Sequence, residues 1–289
     1  MNPENLLSVE NLNELRIFGL RRSGNHAIIS WIVEGYSGVV VHLNNIRKNN
    51  PNPYLSFAQI TVKEIPYWNC RPVFTGCIKH FIKRKNQANF SHKDPKVNID
   101  YIRKLTPKQC LINSYENYRL DDNIFELFEV NRESYVGASH NRYEVLILRD
   151  PFNLFASLLK SNRINAENRD YLVDTYKQYA REFIGQTKIL KLPKICINYN
   201  KWVRSQEYRY AIAQKLGIKI SGDAYTKVPS EGGGSSFDNQ KFNINANQMP
   251  IFERWKNYKS NSFYRDIFKD QELCQLSEEI FGQICTEIL

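Results

Sequence analysis

The sequence predicts an α/β protein built in three layers, α/β/α, around a central and mainly parallel sheet. Three observations predict it. Residues 15–43 run as apolar strand, tight loop, helix and apolar strand. The run EVLIL at 144–148 stops at Arg149 and opens at once into a helix-forming stretch. Elsewhere, apolar runs of strand length alternate with stretches of helical spacing as far as about residue 216. Strands that alternate with helices pair in parallel and are covered on both faces.

The elements follow in chain order. LRIFG at 15–19 has the short apolar pattern of a buried strand. GNHAIISWIVEGY at 24–36 spaces its apolar residues as a helix does, and GVVVHL at 38–43 is the next strand, which completes a βαβ unit. Residues 44–107 are rich in Asn, Pro and Lys and read as an insertion that shapes an acceptor site, with a strand near 72–78 and a helix near 99–105. QCLINS at 109–114 and KICIN at 194–198 read as strands, and 151–160, 171–184 and 205–216 as helices. The tail from about 250 reads as helical, and the whole of 1–289 as one domain.

Composition narrows the class. A chain of 289 residues with 42% hydrophobic residues, 17 Tyr and 16 Phe has enough apolar surface for one large globular core. The 40 basic residues exceed the 30 acidic ones, for a net charge of +10, which favours anionic partners without choosing among them. The six Cys are scattered, lack metal-type spacing and read as reduced thiols. No segment reaches the ~18 apolar residues of a spanning helix, and the opening residues lack the layout of a signal peptide. The expectation is a cytoplasmic protein with no transmembrane segment.

The chemistry concentrates at two strand-to-helix junctions. Gly19-Leu-Arg-Arg-Ser-Gly24-Asn-His26 has the spacing of a phosphate-binding loop, which makes the expected sheet P-loop NTPase-like. The first turn of a helix offers unpaired N–H groups and positive dipole to an oxyanion. Arg21, Arg22 and Ser23 add side-chain donors. A nucleotide triphosphatase would follow Gly24 with Lys and a metal-ligating Ser or Thr; here Asn25 and His26 stand there, so no metal is expected. The second junction is VLILRDPFNLFAS at 145–157. Asp150 as N-cap and Pro151 as first helical residue explain the turn. They leave Arg149 as an unexplained charge at a carboxyl strand end, where open α/β sheets bind ligands.

Together these motifs resemble the P-loop sulfotransferase superfamily. GLRRSGNHAIISWI is similar to its 5′-phosphosulfate loop, usually P-K-S-G-T-T, with Arg22 in place of the lysine and Asn25-His26 in place of the threonines. Arg149 and Ser157 match the family's R-D-P-x-x-x-x-x-S signature, whose Arg and Ser bind the 3′-phosphate of the cofactor. The aromatic residue that stacks on adenine after the loop in the cytosolic branch is Ala27 here. INYNKW at 197–202 resembles a segment that would bring Tyr199 near the adenine, and GGGSSF at 232–237 a late loop that would bring Ser235 and Ser236 to the 3′-phosphate. The resemblance implies 3′-phosphoadenosine 5′-phosphosulfate as sulfuryl donor and a hydroxyl or amine on a small molecule or glycan as acceptor. The basic, aromatic insertion leans towards carbohydrate.

The resemblance further implies that Arg22 stabilises the charge that develops on the leaving phosphate and that a general base activates the acceptor. Glu116, at the end of the strand where the cytosolic branch has its histidine, and His80, within the insertion, are the candidates; His26 and His42 also lie near strand ends. Two other classes stay open. A P-loop kinase of a small molecule shares the fold but wants the missing lysine and metal ligand. A nucleic-acid binder would use basic runs such as KHFIKRK at 79–85, although such runs are usually solvated faces, and nucleic acid is not expected as a partner.

Overall fold

A computed structural model describes residues 10–57, 59–63, 70–73, 80–83, 107–220, 235–238, 241–242, 245–282 and 285. The expected βαβ opening is present: β1 (Asn11–Gly19), α1 (Asn25–Gly35) and β2 (Val40–Asn44). There follow α2 (Pro53–Ser56), β3 (Gln59–Lys63), β4 (Cys70–Val73), β5 (His80–Lys83) and β6 (Lys108–Glu116). The second half holds α3 (Ile124–Val136), β7 (Ser139–Leu148), α4 (Pro151–Lys160), α5 (Arg169–Phe183), β8 (Lys194–Asn198), α6 (Tyr199–Arg204) and α7 (Gln206–Leu216). The tail adds a 3-10 turn at Arg254–Tyr258, then α8 (Ser262–Ile267) and α9 (Gln271–Phe281).

Six strands form one sheet in the order β3-β2-β6-β1-β7-β8. All its pairings are parallel except β2 with β3. The fold is therefore the expected α/β/α sandwich, mainly parallel. Within the insertion, β3 extends the sheet and β4 pairs with β5 as a separate antiparallel ribbon. The helix expected near 99–105 lies outside the described residues.

Side chains alternate along the strands, so each strand feeds both cores. Leu15, Ile17, Val145 and Ile147 pack beneath α1, α6 and α7 with Ile28, Ile32, Trp31 and Trp202. Phe18, Leu146 and Leu148 face the opposite side, against Phe128 of α3, Phe155 of α4 and Tyr176 of α5. Arg16 also points to that side. It is buried, pairs with Glu129 at 3.0 Å and Glu144 at 3.3 Å, and lies 5.0 Å from the Phe125 ring. Lys63 Nζ ends α1 by donating to the carbonyls of Val33 at 3.0 Å and Glu34 at 3.2 Å, a cation at the negative pole of the helix.

The tail is part of the core. Phe152 of α4 meets Trp255 edge-on at 6.0 Å and Phe268 at 5.0 Å. Asn153 Nδ2 donates to Phe252 O at 3.2 Å, and its Oδ1 accepts from Trp255 N at 3.3 Å. Tyr264 Oη donates to Phe152 O at 2.8 Å. α4 is consequently apolar on nearly every side because it is covered on nearly every side. One expectation is overturned: Cys274 and Cys285 form a disulfide with Cα atoms 5.6 Å apart, whereas Cys110 and Cys196 are free. Among the described residues, no helix is long and apolar enough to cross a membrane.

Candidate active site

β1 lies between β6 and β7, with Gly19 in register with Glu116 on one side and Ile147 on the other. The loop 20–24 therefore emerges at the middle of the carboxyl edge of the sheet, flanked by the ends of both neighbours. Leu20 O accepts from Ser23 N at 3.1 Å and from Asn25 Nδ2 at 3.1 Å, which curls the loop into a closed turn. A Cβ on Gly19 would lie 2.2 Å from Asn25 Oδ1, so the absent side chain at 19 is what lets Asn25 fold back. Asn117, itself at φ 61, accepts from Arg21 N at 2.8 Å and donates to Gly19 O at 3.3 Å.

The loop has the features of an anion cradle. Arg22 and Gly24 take left-handed conformations, φ 70 and 86, a turn geometry that gathers backbone N–H groups on one concave side. Gly24 caps α1 with no side-chain hydrogen bond, and the first turn carries no acid to neutralise the dipole. Ser23 is fully buried, and its Oγ has no hydrogen-bond partner among the described residues. An orphaned hydroxyl under a helix N-terminus costs about 1–3 kcal/mol unless a ligand meets it.

Arg149 follows the end of β7 and is buried beside this loop. Its Nη1 donates to Arg22 O at 3.0 Å and reaches Ser157 Oγ at 3.4 Å. Its Nη2 donates to Ile251 O at 2.8 Å, and its Nε is buried with no hydrogen bond among the described residues. The spacing of Arg149 and Ser157 thus does bring the two side chains together, Arg149 just ahead of α4 and Ser157 within it. Ser157 Oγ donates to Asn153 O at 2.7 Å and so turns a lone pair to Arg149. Tyr199, first residue after β8, lies under the guanidinium at 5.3 Å and against the loop: a Cβ on Gly24 would be 2.1 Å from Tyr199 Cε2.

Arg254 closes the far side. It is buried, donates to Ser235 Oγ at 2.7 Å and Asp238 Oδ2 at 3.1 Å, and lies 5.0 Å from the Phe237 ring. Burial and then the charge of Arg149 push its pKa down to about 10. Arg22 is lowered as well, first by burial, then by Arg163, with Arg149 and Arg21 adding to it. Guanidinium groups that depress one another are held together against their own repulsion. Glu116 and Asp238 offset part of that charge, and a bound polyanion would offset the rest.

Comparison with solved structures agrees with this architecture. The sulfotransferase domain from the Synechococcus PCC 7002 olefin synthase aligns over 95% of this chain and 96% of its own, at 14% identity and a TM-score of 0.52. The chain has the fold of a sulfotransferase domain. The sulfotransferase domain from the curacin biosynthetic pathway aligns over 89% of this chain and 96% of its own, at 13% identity and a TM-score of 0.47. No family model and no curated protein sequence matches the chain. At such low identity the likeness carries the fold, and the chemistry is read from the residues.

On this sulfotransferase fold the predicted residues fall as follows. Arg21, Arg22, Ser23, Gly24, Asn25, Arg149, Ser157 and Tyr199 gather around the loop. Ser235 is bound to Arg254, and Ser236 Oγ is buried without a partner among the described residues. Glu116 Oε2 is held by Arg21 Nε at 3.0 Å. The side chain of His80 lies outside the described residues. His26 faces the end of β2, where its Nε2 is 3.3 Å from Asn44 Oδ1. Sequence reasoning missed Asn117, Arg163, Asn44 and Ser114. They come from the ends of β2 and β6 and from the turn after α4, and none carries a local motif.

Proposed function

We propose that the protein is a sulfotransferase that moves a sulfuryl group from 3′-phosphoadenosine 5′-phosphosulfate to a hydroxyl or amine on a small molecule or glycan. The observation that carries this reading is the adjacency of two anion sites of different make: the loop with Ser23 and Arg22, and the Arg149–Ser157 pair, bridged by the Arg149–Arg22 contact. A donor with phosphates at both ends of one nucleoside matches two such sites. Ser23 Oγ, Arg149 Nε and Ser236 Oγ, buried and without a hydrogen bond among the described residues, are the polar atoms that it would satisfy.

In this reading the loop N–H groups, Arg22 and Ser23 hold the 5′-phosphosulfate; Arg149, Ser157, Ser235 and Ser236 serve the 3′-phosphate; Tyr199 lines the nucleoside side. Asn25 acts by closing the loop on Leu20 O, and Arg21 by anchoring Glu116. When bound, the donor supplies an activated sulfuryl group whose departure leaves negative charge on a phosphate oxygen. Arg22 and the first turn of α1 already present positive charge there, and losing one such donor typically costs 10²–10³-fold in rate. The test is transfer of radiolabelled sulfate from the donor to a panel of p-nitrophenol, simple sugars, desulfated glycan and tyrosyl peptide. Labelled product from one class, absent in Arg22→Ala, supports the reading. No label in any class, with no release of 3′,5′-diphosphoadenosine, refutes it.

A further inference from the structure

We propose that His26 takes the proton from the acceptor during sulfuryl transfer, with Asn44 and Ser114 as positioning residues behind it. This rests on the sulfotransferase reading. His26 is in the first turn of α1, at the rim of the anion cradle, and its ring faces the end of β2. β2 and β6 are parallel neighbours, and their carboxyl ends bring Asn44 and Ser114 to the same rim.

A chain of hydrogen bonds sets the tautomer of His26. Its Nε2 is 3.3 Å from Asn44 Oδ1, an atom that only accepts. Nε2 must therefore carry the hydrogen, and the lone pair of the neutral ring sits on Nδ1. Asn44 Oδ1 is fixed in turn by Ser114 Oγ, which donates to it at 3.2 Å. Having given its proton to Asn44, Ser114 Oγ accepts from Asn45 N at 3.2 Å and His42 Nε2 at 3.0 Å. His26 Nε2 and Ser114 Oγ both donate to Asn44 Oδ1, an oxygen with no hydrogen to give back, so the arrangement holds one tautomer of His26 rather than two. His42, fully buried, is kept neutral with its pKa down to about 3 and adds no charge beside His26.

Glu116, the other candidate at this edge, is already the ion-pair partner of Arg21. His26 Nδ1 has no hydrogen-bond partner among the described residues and is open to a substrate proton. The step balances without a further reactant. The acceptor O–H or N–H proton passes to Nδ1, the acceptor atom bonds to sulfur, and the S–O bond to the 5′-phosphate breaks with its electron pair staying on phosphate.

The test uses the full chain, 3′,5′-diphosphoadenosine as binding probe, and hydrolysis of the donor with water as acceptor. His26→Gln keeps the backbone N–H of the helix turn, so binding should stay within about threefold while hydrolysis falls about 100-fold or more, the worth of a general base. Asn44→Ala should lower hydrolysis at unchanged binding, and Asn44→Asp, which keeps an accepting oxygen, should restore it. Independently of turnover, diethyl pyrocarbonate followed by peptide mass mapping should modify His26, spare His42, and be blocked at His26 by the bisphosphate. An unreactive His26, unchanged hydrolysis in His26→Gln, or loss of binding together with hydrolysis would each overturn the proposal. Failure of the wild-type protein to bind the bisphosphate would instead sink the sulfotransferase reading itself.

Discussion

Replacing Gly24 by alanine tests how the loop and Tyr199 are built around each other. Gly24 sits at φ 86, and an added Cβ would fall 2.1 Å from Tyr199 Cε2 and 2.4 Å from Cδ2. Two costs follow. A non-glycine residue in this left-handed conformation loses roughly 1–2 kcal/mol. The overlap cannot be absorbed, so the Tyr199 ring must leave its buried place against Trp202 and Arg149, at about 1–3 kcal/mol. Gly24→Ala should thus destabilise the protein by roughly 3 kcal/mol. In a Tyr199→Ala background the ring is gone, and the same substitution should cost only the conformational part, roughly 1–2 kcal/mol. Urea unfolding of the four proteins measures both values as a double-mutant cycle. Equal costs in the two backgrounds would refute the close approach of Tyr199 to the loop.

Three further outcomes are expected. His42 is pushed down to about 3 by burial and then by His26, from an ordinary 6.5. The unfolded chain gains a proton there that the folded chain refuses, so this stabilisation is complete above about pH 6.5 and is lost as pH falls towards 3, at most about 4–5 kcal/mol. His42→Gln should therefore flatten the urea midpoint between about pH 6.5 and pH 4.5; an unchanged slope would contradict the burial. Arg16→Met leaves Glu144 buried beside Glu129 without their shared cation and should cost about 3 kcal/mol of stability, while 3′,5′-diphosphoadenosine binding by the folded protein is unchanged, as calorimetry would report. Asn117→Ala removes the side-chain acceptor for Arg21 N at a position of φ 61 that favours asparagine over alanine, and should weaken bisphosphate binding about tenfold with stability lowered by about 1–2 kcal/mol.

What was legible in the sequence was local. The loop at 19–26 and the Arg149–Ser157 spacing are strand-to-helix junctions whose chemistry lies within a dozen residues, so composition and order reveal them. The alternation of Leu15, Ile17 with Arg16, Phe18 likewise announces a strand covered on both faces. The His26–Asn44–Ser114–His42 chain depends on β6 sliding between β1 and β2, which no local pattern encodes. Arg254 and Asn117 reach the loop the same way, through strand order and tail docking. α3 escaped because its apolar residues do not form one stripe: Leu127 and Val130 are 52% and 81% exposed. The Cys274–Cys285 pairing was hidden because neither residue sits in a spacing that distinguishes a bridge from two thiols.

The central claim is that the cradle and the Arg149 pair together bind a nucleoside with phosphates at both ends. Calorimetric titration of 3′,5′-diphosphoadenosine tests it most directly, beside Mg-ATP and an Arg149→Lys variant, whose ammonium cannot span the acceptors that the planar guanidinium serves. The account predicts micromolar binding of the bisphosphate, ATP weaker by about 100-fold, and at least a tenfold loss in the variant, on the order of 1.4 kcal/mol. No binding of the bisphosphate, or equal binding of ATP, would contradict it.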